Sequence, residues 1–328
     1  MKILVFSSKS YDEQFLNASN QNSQHQLTFV PAQLDETTAA LAKDHDAVCI
    51  FVNDRMNREV IDILVANGVK YVALRCAGFN QVDVAYAKEC RLQLARVPAY
   101  SPHAVAEHAV GLLLALNRHL HKAYNRVREG NFELSGLMGF DLVGKTVTIV
   151  GTGRIGAVFA KIMHGFGCRL LAVDDYQHPD VRALGATYVS LNDALPQSDV
   201  ISLHCPLTDA TRHLINSETL AVLKKGVLIV NTGRGALVDT RALIEGLKSS
   251  VIGGLALDVY EEEEKLFFSD HSHEIIGDDV FMRLTTFPNV LITGHQAFFT
   301  NEALTQIAEV TMGNLASMES DGECANAL

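Results

Sequence analysis

No stretch of this chain is apolar for long enough to cross a bilayer. A span needs about 20 consecutive apolar residues, and the nearest approach, residues 104–116, contains Glu107 and His108. No cleavable leader is expected, because Met1-Lys2-Ile3-Leu4-Val5-Phe6 is too short an apolar run for one and reads as a first strand. Paired cysteines are absent. The six, at 49, 76, 90, 168, 205 and 324, form no CxxC. Cys49, Cys76, Cys168 and Cys205 lie in or beside apolar runs, the ordinary setting of small buried thiols. Reduced thiols and a cytoplasmic location are therefore expected, not a disulfide framework. Positive charge is scarce: 27 Lys and Arg against 38 Asp and Glu leave a net charge of −11, which argues against a nucleic-acid surface as the main function. No metal site is expected, since His271-Ser272-His273 has no further ligand pair at useful spacing and reads as a solvated loop. Repeats are lacking, and Glu261–Glu264 is the one low-complexity run.

What is present is an alternation. The 328 residues, 48% hydrophobic and 20% charged, suffice for two domains with separate cores. Short Val-, Ile- and Leu-rich runs at 3–7, 27–30, 47–52, 71–75 and 94–97 are separated by helix-compatible stretches such as 54–67. A second series follows at 147–150, 170–173, 200–203, 227–231, 253–258 and 290–293. Such alternation predicts an α/β fold with two doubly wound parallel-sheet domains. At the junction, Ser101 is a plausible N-cap and Pro102 suits the first helical position. The helix they open is expected to run to about Arg128. Its first half, 104–116, is apolar nearly all round and must be buried on every side. One face can pack on its own chain, and the rest is expected to meet another domain or a second subunit, which gives a homodimer or homotetramer. A last helix over about 301–315 cannot form a domain alone and should return to the first one. The expected division is a discontinuous flavodoxin-like domain of residues 1–100 and 298–328, with residues 101–297 inserted.

The inserted part opens on a fingerprint. The run Val147-Thr148-Ile149-Val150 leads into Gly151-Thr152-Gly153-Arg154-Ile155-Gly156, a strand turning into a helix through GxGxxG. The first Gly permits the tight turn, the second lets a pyrophosphate approach, and the third lets helix and strand pack closely. The helix N-terminus offers N–H groups and partial positive charge to the phosphates. An acidic residue should follow near the end of the next strand to hold a ribose hydroxyl, and Asp174 supplies it; Asp175 lies one step beyond the strand. Together these predict a Rossmann domain that binds NAD in preference to NADP.

Three further segments carry polar groups that packing explains poorly: Asn231-Thr232-Gly233-Arg234-Gly235, Leu257-Asp258-Val259-Tyr260 with its acidic run, and Thr293-Gly294-His295-Gln296-Ala297. Each has a bland reading taken alone: an Arg paired with a surface carboxylate, a solvated loop, a hydrogen-bonded structural His. Taken with ALRCAGFNQVD (73–83), VPAYSPHAVAEHAVG (97–111), GTGRIG (151–156), SLHCPLT (202–208), NTGRGALVD (231–239), LDVYEEE (257–263) and TGHQAF (293–298), they resemble the NAD-dependent D-2-hydroxyacid dehydrogenases over nearly the whole chain. Within that family the resemblance is to the fermentative branch that interconverts pyruvate and lactate.

The resemblance implies an Arg, Glu and His as catalytic residues. The NTxRG segment gives Arg234. Five residues after Asp258 comes Glu263, selected from four adjacent glutamates, and the end of the last strand gives His295. Hydride transfer to a keto carbon leaves charge on its oxygen, which an imidazole can protonate. A nearby carboxylate favours imidazolium and fixes the ring. A guanidinium fork can hold the substrate carboxylate and polarise the carbonyl. Cofactor contacts are implied at Gly151, Gly153, Arg154, Ile155, Gly156, Asp174, Cys205, Pro206, Thr211, Thr232, Gly233, Arg234 and Asp258. Substrate contacts are implied at Cys76, Ala77, Gly78, Phe79, Tyr100, Phe298, Arg234 and His295, with packing an equal alternative for Tyr100 and Phe298. Gly233, where many members have Ser, and Gln296 depart from the pattern and leave the triad intact. Rival readings are dehydrogenases of 2-ketoisocaproate, phenylpyruvate or hydroxypyruvate, and an NAD-binding corepressor, against which the complete triad argues. Phosphorylated substrates are disfavoured because Arg75 is the one cation within 73–83. Formate dehydrogenases pair their His with Gln.

Overall fold

The computed structural model describes residues 1–320 and 324–328. The chain divides into two units, Met1–Ser101 with Phe299–Leu328, and Pro102–Phe298.

In the first unit, β1 (Lys2–Val5), β2 (Gln26–Phe29), β3 (Ala47–Ile50), β4 (Tyr71–Leu74) and β5 (Gln93–Arg96) form one sheet in the order β2-β1-β3-β4-β5. Every pairing is parallel. Parallel strands need covering on both faces, so they read as unbroken hydrophobic runs. Helices α1 (Ser10–Ser19), α2 (Arg58–Ala66) and α3 (Val84–Glu89) lie between the strands in sequence. The α2 start is fixed by Asn57, whose side chain accepts from the Val60 N–H.

The second unit begins with α4 (Pro102–Asn117) and α5 (Leu120–Arg128). Its sheet comprises β6 (Thr146–Val150), β7 (Arg169–Val173), β8 (Thr187–Tyr188), β9 (Val200–Leu203), β10 (Val227–Asn231), β11 (Ile252–Leu257) and β12 (Val290–Ile292). Their order is β12-β11-β10-β9-β6-β7-β8, again all parallel. Helices α6 (Arg154–Gly165), α7 (Pro179–Ala183), α8 (Leu191–Ala194), α9 (Ser217–Leu220), α10 (Thr240–Lys248) and α11 (Asp279–Thr285) complete it. The last helix, α12 (Asn301–Glu319), belongs to the first unit, where Ala308, Met312, Leu315 and Met318 join Ile3, Val5, Cys49, Ala73 and Ala95 in one core. The fold is thus the expected α/β pair, with the second sheet inserted into a discontinuous first unit.

One expectation at the junction is corrected. The helix from Pro102 does not continue to Arg128: it stops at Asn117, and His119 adopts a left-handed φ of +51° before α5 starts. The Asn117 side chain donates to the Phe140 carbonyl and accepts the Phe140 N–H, at 2.8 and 3.1 Å, tying the break to the later loop. Much of α4 is covered within its own unit. Ala106, Ala109, Val110, Leu112, Leu113 and Leu116 sit in a core with Val147, Phe159, Val230 and Ala256 of the same unit. The uncovered apolar side chains come next along the chain: Leu120, Tyr124, Val127, Phe132, Leu134 and Met138 are all exposed, the last by 90%. Among the described residues no helix is long and apolar enough to cross a membrane.

Candidate active site

The fingerprint has the geometry its glycines demand. Gly151 follows β6 with φ of +90°, a conformation costly for residues with a Cβ. A Cβ there would also strike the Cys205 backbone, and one on Gly156 would strike the Gly151 carbonyl. A Cβ on Gly153 would meet nothing within 4 Å. Two glycines therefore serve packing, while the third opens on free space at the N-terminus of α6, where a phosphate can approach the Arg154 and Ile155 backbone. Asp174 is exposed just after β7, and its carboxylate accepts the Thr152 N–H at 2.6 Å and the Tyr176 N–H at 2.9 Å. That carboxylate thereby holds the glycine turn.

Cys205 and Pro206 follow β9. Burial pushes the Cys205 thiol up to about 11. The Thr211 hydroxyl accepts from the Thr208 N–H and donates to the Pro206 carbonyl, so it closes its own loop. His204, which sequence reasoning passed over, is half-buried beside Phe159 and contacts Ser202 Oγ at 2.8 Å; desolvation lowers its pKa to about 3, leaving a neutral ring.

After β10, Asn231 Oδ1 accepts the Gly233 N–H while its Nδ2 donates to the Arg234 carbonyl, so one side chain sets the loop. A Cβ on Gly235 would collide with the Tyr260 carbonyl, which fixes this loop against the segment after β11. Arg234 Nη1 donates to the Gly233 carbonyl at 2.7 Å, and among the described residues the guanidinium makes no ion pair. Thr232 Oγ1 is buried and has no hydrogen-bond partner among the described residues. An orphaned hydroxyl at the carboxyl end of β10, two strands along the sheet from the Gly153 turn, suits a polar ligand that the protein itself does not supply.

His295 Nδ1 lies 2.7 Å from Glu263 Oε1, and both side chains are mostly buried. Glu263 Oε2 accepts the Tyr260 N–H at 2.9 Å, which fixes the carboxylate. His295 has a left-handed φ of +55°, held by its N–H bond to the Asp258 carbonyl at 2.7 Å. The buried Asp258 carboxylate accepts the Gln296 and Ala297 N–H groups, the Thr293 hydroxyl, and a contact from His108 Nε2 at 3.3 Å. Burial alone would raise the Asp258 pKa, but these bonds, His108 and Thr293 foremost, hold it below the usual carboxylate range. With Nδ1 facing a carboxylate, Nε2 is the ring nitrogen left to exchange a proton. His108 and Thr293 were missed as site residues; the available signal was a polar pair, Glu107-His108, interrupting an apolar helix.

In the first unit, the turn Cys76-Ala77-Gly78-Phe79 follows β4. Cys76 Sγ donates to the Gly78 carbonyl at 3.2 Å, and Arg96 Nη1 donates to the Ala77 carbonyl at 2.7 Å. Arg75 is fully buried, paired with Asp12 at 3.0 Å and donating to the Ser7 carbonyl, so it is committed to structure. Tyr100 is half-buried, and the exposed Phe299 meets Tyr11 edge-on at 4.8 Å; Phe298, the last residue of the second unit, is buried. His271 pairs with Glu274 at 2.8 Å.

A nucleotide turn at the end of β6, together with a His–Glu pair and an uncommitted Arg at neighbouring strand ends, defines a dinucleotide-dependent oxidoreductase class. Residues 110–297 match the D-isomer specific 2-hydroxyacid dehydrogenase, NAD binding domain family. The chain is 54% identical to 2-hydroxyacid dehydrogenase A of Aspergillus oryzae, over all of this chain and 95% of that one. It is 52% identical to D-lactate dehydrogenase of Escherichia coli over the full length of both. The apo-structure of the Escherichia coli D-lactate dehydrogenase superposes with a TM-score of 0.92 at 50% identity, covering both chains completely. The chain belongs to the D-isomer specific 2-hydroxyacid dehydrogenases, NAD-dependent oxidoreductases.

Proposed function

We propose that this enzyme reduces pyruvate to D-lactate, with Arg234, Glu263 and His295 as its catalytic residues. The observation that carries the reading is the His295–Glu263 pair at 2.7 Å, which leaves Nε2 as the proton donor, in a chain half identical to a D-lactate dehydrogenase. Bound NADH supplies the hydride. His295 Nε2 gives a proton to the developing alkoxide, and Glu263 stabilises the charged ring before transfer and keeps it oriented. Arg234, free of any ion pair among the described residues, takes the substrate carboxylate and polarises the carbonyl. The Ala77 and Gly78 N–H groups are the substrate contacts of the first unit, which is the substrate domain.

Cofactor residues follow the same reading: Gly151, Gly153, Arg154, Ile155 and Gly156 at the pyrophosphate, Asp174 at the ribose, and Cys205, Pro206, Thr232, Gly233 and Asp258 along the strand ends. Thr211 acts there by closing the 206–211 loop. The enzyme works in the cytoplasm as a homo-oligomer. Its subunit contact is the apolar surface of α5 and the following loop, Leu120 to Met138, since patches of this kind mark interfaces.

Incubating the purified protein with NADH and a panel of 2-keto acids, followed by chiral analysis, tests the reading. Pyruvate is expected to be the best substrate and D-lactate the product. L-lactate as main product overturns the stereochemical assignment; a preference for phenylpyruvate or 2-ketoisocaproate overturns the choice of substrate.

A further inference from the structure

We infer that Arg96 is a positioning residue for substrate binding: its guanidinium grips the Ala77 carbonyl and thereby aims and strengthens the Gly78 N–H as a donor to the substrate carboxylate. The inference deepens the reading above and rests on it. Arg96 ends β5, the strand paired with β4, which places its side chain next to the turn that follows β4. Nη1 donates to the Ala77 carbonyl at 2.7 Å, and the guanidinium lies 5.0 Å from the Phe79 ring centroid. It therefore holds the turn on both sides of Gly78. On the neighbouring peptide, the Val97 N–H donates to the Cys76 carbonyl at 3.3 Å.

Peptide geometry converts these two contacts into a direction. In a trans peptide the C=O and the following N–H point to opposite sides, and no peptide bond among the described residues is cis. With the Cys76 and Ala77 carbonyls both turned to β5, the Ala77 and Gly78 N–H groups both turn away from it. Neither N–H meets an acceptor among the described residues. Two adjacent N–H groups aimed together form a small anion-binding concavity. A cation on the Ala77 oxygen also polarises that peptide and makes its N–H a better donor.

The charge of Arg96 is available for this task. Among the described residues it makes no ion pair, whereas Arg75, at the end of the adjacent strand, is neutralised by Asp12 at 3.0 Å. The Arg96 backbone is fixed as well: its N–H donates to the Asn326 carbonyl and its own carbonyl accepts from Asn314 Nδ2 of α12 at 2.9 Å. The returning C-terminal segment thus anchors the residue that shapes the turn.

The test compares the parent enzyme with Arg96→Met and Arg96→Lys. Each is assayed for pyruvate and NADH kinetics, for the dissociation constant of oxamate with NADH bound, and for Tm. Arg96→Met is expected to raise KM for pyruvate and Kd for oxamate about tenfold, the size of one lost charge-assisted hydrogen bond. KM for NADH should move by less than about twofold, because only the substrate carboxylate is affected. Arg96→Lys, which keeps the charge without the planar fork, should recover part of the loss. Unchanged pyruvate and oxamate constants in Arg96→Met, or an equal loss for NADH, overturns the inference and leaves the proposed function standing. A parent enzyme that turns over no 2-keto acid overturns both.

Discussion

His213 and Glu261 form another imidazole–carboxylate pair, Nε2 to Oε1 at 2.6 Å, only two residues along the chain from Glu263. Arg212 reaches the same oxygen at 3.4 Å, and the Thr240 hydroxyl donates to Oε2 at 3.3 Å. Glu261 is thereby committed to fastening the segment after β11 to the start of α10. Glu263 is fastened instead to His295. Adjacent glutamates of equal intrinsic chemistry are sorted by the partners the fold gives them.

Replacing these two carboxylates should therefore have different effects. Glu263→Gln removes the charged acceptor that holds the His295 ring at 2.7 Å, so kcat for pyruvate reduction should fall by about 10²-fold or more with Tm little changed. Glu261→Gln should leave kcat within about twofold of the parent and lower Tm by a few degrees. Turnover and thermal melts of the two variants and the parent decide the matter. If Glu263→Gln turns over pyruvate as fast as the parent, the assigned role of Glu263 is wrong.

Long parallel strands were legible because both their faces are buried: each run of Val, Ile and Leu became a strand with ends shifted by a residue or two. The edge strand β8, Thr187–Tyr188, was not, since two residues with one neighbour leave no pattern. The break at His119 was hidden as well. No Gly or Pro marks it, and it depends on Asn117 bonding to Phe140, a contact between distant positions. The site divided in the same way. Glycine spacing and the acid after β7 were readable locally. The choice of Glu263 among four glutamates came from family resemblance, and the roles of Asp258, His108 and Arg96 depend on contacts that no spacing encodes.

Asp174→Ala should weaken NADH binding more than the loss of a ribose contact alone, because the same carboxylate holds the Thr152 N–H. Asp174→Asn keeps an acceptor for that bond while removing the charge that repels a 2′-phosphate. It should narrow the NADH over NADPH preference with a smaller rise in KM for NADH than the Ala variant shows. Asp175→Ala should change neither. Equal use of NADH and NADPH by the parent contradicts the assignment.

Asp258 links pH to stability. Its hydrogen bonds to Thr293, Gln296 and Ala297 and its contact with His108 hold its pKa below the ordinary value, so the folded state favours the anion. That contribution is complete above an unfolded pKa of about 3.9 and is lost as pH falls through the lower folded value. Asp258→Asn should lower Tm at neutral pH and lower it less under acid conditions. The same variant should reduce kcat, because the Gln296 and Ala297 N–H groups that fix the His295 turn lose a charged acceptor. A parallel Tm curve across acid and neutral pH counts against the linkage.

Charge placed on the exposed apolar loop should separate subunits. Leu134→Glu with Met138→Glu, at positions exposed by 80% and 90%, puts carboxylates where the proposed contact needs apolar area. The double variant should sediment as a monomer and the parent should not. A parent that sediments as a single 35.8 kDa species at micromolar concentration removes the premise.

Two glycine substitutions separate packing from binding. A Cβ on Gly235 would enter the Tyr260 carbonyl and the Glu261 N–H, both backbone atoms that cannot swing aside. Gly235→Ala must therefore push apart the Arg234 loop and the Glu263 segment, with losses of both Tm and kcat. A Cβ on Gly153 would meet nothing within 4 Å, and the residue has an ordinary negative φ of −64°. The free protein should therefore tolerate Gly153→Ala with Tm nearly unchanged. The added methyl instead occupies the space where the pyrophosphate must approach the α6 N-terminus. KM for NADH should rise by about tenfold or more, as expected when a phosphate loses close hydrogen bonds, and NADH should no longer raise Tm as it does in the parent. Wild-type NADH affinity in a stable Gly153→Ala enzyme would show that the cofactor does not approach this turn.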